Sequence, residues 1–149
     1  MSLTIRKLEA SDYDEWRRLW TLYLEFYKAT VPDEVYQTTW QRLLSDDPAE
    51  FTGLLAVNEA GEPLGLTHYV FHRHCWTVAD ICYLQDLYVD EKARGTGAGR
   101  ALIEAVYDAA DAAGGGRVYW MTQDFNETAR TLYDRIGELT PFIKYQRKL

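Results

Sequence analysis

The chain has 149 residues, 47% hydrophobic and 26% charged, the size and mix of one globular domain over 1–149, which excludes disorder as the main state. No apolar run approaches the roughly 18 residues that span a bilayer, and the start of the chain lacks the apolar core of a secretory signal, so a cytoplasmic protein without membrane contact is expected. The net charge of −7 argues against a nucleic-acid partner, which needs clustered Lys and Arg, and is compatible with a cationic substrate drawn in by a negative field.

Residues 3–8 alternate apolar and polar, as a half-buried strand does. Ser11 reads as a helix N-cap, with Asp12, Asp14 and Glu15 in the first turn, where carboxylates meet the positive end of the dipole. Trp16, Leu19, Trp20, Tyr23, Leu24 and Tyr27 follow as one apolar stripe, and Val31-Pro32 ends that helix. Asp33 caps a second helix with Val35, Tyr36, Trp40, Leu43 and Leu44 inward. Residues 51–59, 64–74 and 81–89 read as three strands with short links, an antiparallel meander. A glycine-rich loop, 90–99, leads to a helix over 100–113, which Gly114-Gly115-Gly116 breaks. A short strand over 117–122 and a helix over 126–136, closed by Gly137 as C-cap, precede a last strand over 141–148. The order β-α-α-β-β-β-α-β-α-β predicts an α+β fold with a mixed, mostly antiparallel sheet and helices on both faces.

The loop carries Arg94-Gly95-Thr96-Gly97-Ala98-Gly99-Arg100. Glycines permit positive φ and let an anion approach the backbone. The first N–H groups of the following helix lack intrahelical partners and, with the dipole, form an anion site. A pyrophosphate fits there, and Arg94 and Arg100 can add charge-assisted contacts. A P-loop needs Gly-Lys-Ser/Thr, which is absent. A dinucleotide fold needs G-x-G-x-x-G in a first β-α-β unit, whereas this G-x-G-x-G follows three meander strands.

The segment resembles the GNAT family of N-acetyltransferases, whose motif Arg/Gln-x-x-Gly-x-Gly/Ala is met by Arg94, Gly97 and Gly99. Leu84-Gln85-Asp86-Leu87-Tyr88-Val89 is similar to the family's central strand, and Asn126 to Tyr133 followed by Gly137 to its second motif. The strand at Trp120-Met121-Thr122 and the ending Pro141 to Tyr145 resemble a subgroup of fungal histone and polyamine acetyltransferases. The resemblance implies acetyl-CoA as cosubstrate. It implies that the segment Leu87, Tyr88 and Val89 runs along the pantetheine arm and splays from the strand beginning at Arg117. It further implies that the amides of Arg94, Gly95, Thr96, Gly97, Ala98, Gly99 and Arg100 hold the pyrophosphate. Asn126 is implied to bond the cofactor arm, Tyr133 to point at the sulfur, and the C-terminal segment to pair across a homodimer interface.

Acyl transfer to an amine needs a neutral nucleophile, a donor for the oxyanion and a leaving thiolate. A lysine-like amine of pKa about 10.4 is neutral in roughly one molecule in 2,500 at pH 7, a handicap of about 4.6 kcal/mol. Under the resemblance, Tyr133 serves the leaving thiolate, the Leu87 N–H serves the oxyanion, and Asp86 is the candidate base. Polyamine-type relatives often carry Glu where Gln85 stands. Tyr27, Tyr36, Trp40, Trp76 and Tyr145 are candidate walls of the acceptor site beside Gln85, since aromatic faces hold cations. The bland reading of each aromatic is core packing, and that of Asn126 is a helix cap.

Cys75 and Cys82 flank a possible hairpin turn and are expected reduced. A two-step mechanism through either thiol lacks a paired base. His72 and His74 share a strand face, but Cys75 points the other way, so no metal is expected. The reading is direct transfer of acetyl from acetyl-CoA to a primary amine of a small molecule, a polyamine or an amino-acid-like acceptor. The alternatives are a protein lysine acetyltransferase, a non-catalytic acyl-CoA-binding module and another type of nucleotide-binding domain.

Overall fold

A computed structural model describes residues 2–149. The strands are β1 (Thr4–Lys7), β2 (Thr52–Val57), β3 (Pro63–His72), β4 (Ile81–Val89) and β5 (Val118–Tyr119), and the helices α1 (Tyr13–Phe26), α2 (Asp33–Leu43), α3 (Ala98–Ala112) and α4 (Glu127–Ile136). The sheet order is β1-β2-β3-β4-β5. The first four strands pair antiparallel, β1 with β2 across the segment that carries α1 and α2 and the next two pairs through short loops, and β4 pairs β5 in parallel across the α3 crossover.

Alternation along the strands sends side chains to two cores, one on each sheet face. Leu55, Val57 and Leu66 meet Trp16, Leu19 and Trp20 of α1 and Tyr36, Trp40 and Leu43 of α2. Leu54, Ala56, Tyr69, Cys82 and Leu84 meet Leu102, Ile103, Val106 and Ala110 of α3. Burial of each such large apolar side chain contributes about 1.5–3 kcal/mol before entropy is subtracted. Trp16 and Trp20 are neighbours on the inner face of α1, and their rings stack 5.3 Å apart.

Three expectations are corrected. Ser11 does not cap α1: Asp12 precedes the helix, bound to Arg6 at 2.8 and 2.9 Å and accepting the Glu9 N–H at 2.7 Å. The α3 helix starts two residues early, because Gly97 at φ 87° caps it from the left-handed region. The strand expected over 141–148 does not form; no ladder runs through these residues, and Phe142, Ile143 and Tyr145 are 78%, 78% and 89% exposed. A strand is stable only when paired, and within one chain this segment meets no sheet edge.

Candidate active site

The β4–β5 ladder contains only Cys82↔Val118 and Tyr83↔Tyr119, anchored by the Cys82 N–H to the Arg117 carbonyl at 2.9 Å. Beyond Tyr83 the two strands separate, while β4 stays paired with β3 as far as Val89 opposite Gly65. That leaves one edge of β4 open. The Asp90 N–H bonds the Leu64 carbonyl at 2.8 Å, which fixes the alternation of the strand. The N–H groups of Leu87 and Val89 therefore face the open edge, and that of Tyr88 faces β3. The Tyr88 side chain packs with the α1–α2 core.

A β-bulge lies between the pairs His68↔Asp86 and Tyr69↔Leu84, so Gln85 is the extra residue. The bulge resets which face each residue takes. Leu84 and Leu87 both lie on the α3 side, and Asp86 turns to the α1 side.

At the far end of the open edge, Gly95 and Gly97 hold φ of 82° and 87°, and open space surrounds the position of a Cβ at either. The amides of Ala98, Gly99 and Arg100 open α3 and have no intrahelical acceptor. The Arg94 and Thr96 amides instead donate back to Glu91 and Ala93 carbonyls, both at 3.3 Å. Arg94 lies 3.8 Å from Glu91, and Arg100 is bonded to Glu104 at 2.8 Å. The free amides, the helix dipole and the two guanidinium groups fit a pyrophosphate.

Between the diverging strands lies a narrow cavity of about 20 Å³ whose lining includes Tyr23, Tyr27, Gln85, Leu87, Trp120 and Tyr133. Burial first, and then Tyr27, push the Tyr133 hydroxyl up to about 12, so it keeps its proton at neutral pH. Its ring meets Trp120 edge-on at 5.4 Å. Trp120 in turn explains Gly137. That residue is in extended backbone, and a Cβ there would lie 2.8 Å from the Trp120 ring. Gly137 is thus required by close approach rather than by the positive φ that a glycine C-cap suggests. Asn126 caps α4, accepting from the Ala129 N–H at 3.5 Å and donating to the Thr122 hydroxyl at 3.2 Å.

A larger cleft of about 230 Å³ lies on the α1–α2 side, lined in part by Trp20, Arg42, Phe51, His68, Gln85 and Asp86. Gln85 lines both spaces. His68 and Asp86 are buried and joined Nδ1 to Oδ2 at 2.8 Å. The Trp20 indole also donates to that oxygen, at 3.3 Å, and the Trp16 indole donates to His68 Nε2 at 2.9 Å. An indole N–H can only donate, so Nε2 is unprotonated and the His68 proton sits on Nδ1. Burial and then the Asp86 carboxylate push the Tyr23 hydroxyl above the ordinary phenol range.

Sequence reasoning missed His68, Tyr23 as a cavity wall, and Trp120. His68 shares the α1 face of β3 with Leu66, and pairing that strand with β4 sets it opposite Asp86. A histidine and an aspartate on one face of adjacent strands was the available signal.

Not every expected wall is near the site. Tyr36 is buried in the helix core, with its hydroxyl on Thr21 at 2.7 Å and Arg17 over its ring at 3.9 Å. Trp40 packs on Trp16 at 4.9 Å. Trp76 is 80% exposed, edge-on to His74. Tyr145 belongs to the unpaired C-terminal segment. Tyr27 and Gln85 do line the cavity. Cys75 is an exposed free thiol, and Cys82 is a buried one pushed up to about 12 by burial. His72 bonds the Tyr119 hydroxyl at 2.8 Å. Among the described residues no group of three His, Cys, Asp or Glu is arranged to hold a metal, and no helix is long and apolar enough to cross a membrane.

A profile of the acetyltransferase (GNAT) family matches residues 16–137. A D-amino-acid N-acetyltransferase of Saccharomyces cerevisiae is 38% identical over 146 residues, covering 97% of this chain and 90% of the relative. The crystal structure of a probable acetyltransferase matches with a TM-score of 0.84 at 22% identity, over 98% of this chain and 97% of that one. The enzyme AAC(6')-Iy, in complex with a CoA bisubstrate analog, matches with a TM-score of 0.83 at 18% identity, over 100% and 99%. At these identities the two solved structures bear on the fold.

Proposed function

Since the chain belongs to the acetyltransferase (GNAT) family and is an acetyl-CoA-dependent N-acetyltransferase, we propose that it acetylates the amino group of a small amino-acid-like molecule, by direct transfer within a ternary complex. The observation that carries this reading is the opening of β4 from β5 after Tyr83, with Tyr133 and Gln85 lining the same cavity. The small acceptor is supported by the yeast relative, which is named for D-amino acids.

Bound acetyl-CoA supplies an acetyl group activated as a thioester. The open N–H and C=O groups of Leu87 and Val89 pair with the amides of its arm, and the amides from Gly97 to Arg100 meet its pyrophosphate. Asn126 borders the arm while capping α4. The Leu87 N–H donates to the acetyl carbonyl oxygen as that oxygen gains charge. Tyr133 donates a hydrogen bond to the departing sulfur. Its hydroxyl, pushed up to about 12 by burial, lies well above a cysteine-like thiol near 8.5, so complete proton transfer to the sulfur is uphill. Tyr133 therefore steadies the thiolate as the C–S bond breaks, and the proton that the nitrogen sheds once the C–N bond has formed passes to that thiolate through water, giving the free thiol. Asp86 lines the acceptor cleft, carries the Trp20 and His68 bonds on Oδ2 and faces the Tyr23 hydroxyl, and its carboxylate takes the proton of the incoming ammonium, directly or through water.

We also assign a homodimer, in which the exposed segment after Gly137 finds the sheet edge it lacks within one chain. The two free thiols fit a reducing, cytoplasmic setting.

The test is CoA release from acetyl-CoA against amino acids of both configurations, polyamines, aminoglycosides and a lysine peptide. Turnover with amino acids above all others supports the reading. Turnover confined to the peptide or to polyamines overturns the acceptor.

A further inference from the structure

We propose that the Arg42 guanidinium anchors the carboxylate of an α-amino-acid acceptor, so that the cleft it shares with Asp86 receives a zwitterion. This rests on the acceptor class given above and adds the residue that selects it. Arg42 stands in the last turn of α2, and the side chain of its neighbour Leu43 is buried in the helix core. Arg42 is the one cationic side chain lining either of the two cavities described above. Arg6, Arg17, Arg18, Arg73, Arg94 and Arg100 each have a carboxylate within 4 Å; among the described residues Arg42 has none, nor do Arg117, Arg130, Arg135 and Arg147, which line neither cavity. In a chain of net charge −7, a guanidinium left without a carboxylate in a cleft is a vacant anion partner.

The same cleft presents the opposite charge at Asp86, the group that turns toward it because of the bulge at Gln85. An α-amino acid carries its ammonium and carboxylate on one carbon and matches a wall bearing both signs. A polyamine brings a second cation toward Arg42, which disfavours it. Trp20, Leu43 and Phe51 supply an apolar lining for the acceptor's side chain, and about 230 Å³ exceeds the room a few waters need. A planar guanidinium binds a carboxylate bidentately, which orients the amine as well as holding it.

The experiment measures kcat/KM for alanine, leucine and phenylalanine of both configurations and for their carboxamides, in wild type, Arg42→Gln and Arg42→Lys. The quantity read is the preference for each acid over its own amide. Wild type is expected to prefer the acid, and Arg42→Gln to lower that preference by about tenfold or more, chiefly through KM for the acid. Arg42→Lys is expected to retain an intermediate preference, since it keeps charge and loses the fork. An unchanged preference in Arg42→Gln overturns the anchor and leaves the acceptor class standing. Wild type that acetylates polyamines or a lysine peptide but no amino acid overturns the acceptor class and the anchor with it.

Discussion

His68 donates its Nδ1 proton to Asp86 across 2.8 Å while its Nε2 accepts the Trp16 indole N–H at 2.9 Å. One imidazole thereby ties α1, β3 and β4 together beneath the larger cleft. Replacing it with alanine strands a buried indole N–H and removes one donor from a buried carboxylate. Each unsatisfied group costs about 1–3 kcal/mol. His68→Ala is expected to lose roughly 2–5 kcal/mol in urea unfolding. Asp86→Asn keeps an oxygen that accepts both bonds, so it should lose less stability while losing about tenfold or more in kcat. Equal midpoints for His68→Ala and wild type would show that the pair holds nothing together.

Tyr133→Phe removes the hydroxyl and keeps the ring against Trp120. The expected result is a fall in kcat of about tenfold or more with a much smaller change in KM for acetyl-CoA. The wild-type rate should climb with pH as the acceptor amine loses its proton, with no fall caused by Tyr133 below about pH 11, because its hydroxyl is pushed up to about 12. The same rise has a stability consequence. A phenol raised from about 10 in the unfolded chain to about 12 in the folded one stabilises fully below pH 10 and loses that contribution as pH climbs to 12. Tyr133→Phe should therefore lose less stability than wild type across that window. A mutant with unaltered kcat would remove Tyr133 from the chemistry.

The strands and helices, apart from the last strand, were legible in the sequence because each carries a local period. The apolar stripe Trp16, Leu19, Trp20 needed no tertiary information, nor did the Arg94 to Arg100 loop. What was hidden depends on pairing between distant segments. Nothing near Gln85 signals a bulge, which exists only against β3. The expected strand 117–122 shrinks to Val118–Tyr119 because β5 leaves β4, an opening that the family resemblance implied and that no local period marks. The segment 141–148 has the alternation of a strand, yet pattern alone does not provide the neighbour that a ladder requires.

Gly137→Ala tests the packing behind Tyr133. The new methyl would meet the Trp120 ring at 2.8 and 3.1 Å, and that ring abuts Tyr133. Forcing the ring to shift should cost about 1–3 kcal/mol and reduce kcat, although the backbone at 137 is extended and suits alanine. Trp120→Phe shortens the ring system that collides. The double variant Gly137→Ala/Trp120→Phe should then be more stable than the sum of the single losses by about 1 kcal/mol. Strict additivity in thermal unfolding would place the cause elsewhere.

The C-terminal segment tests the assembly. Phe142, Ile143 and Tyr145 lie in the open with no ladder on their backbone, and β5 contributes only two residues to the end of the sheet. An unpaired apolar segment and an uncovered edge each favour association, and a second copy supplies both complements at once. Sedimentation at micromolar concentration should give a dimer for the full chain. Phe142→Asp combined with Tyr145→Asp should give a monomer, because two carboxylates placed in a strand-to-strand contact must be desolvated without partners. The substituted side chains are solvent-exposed within one chain, so a loss of the dimer with an unchanged far-ultraviolet spectrum isolates the interface from the fold. A monomeric full chain at that concentration would reject the dimer and leave the proposed acetyl-transfer site, whose residues all come from one chain, untouched.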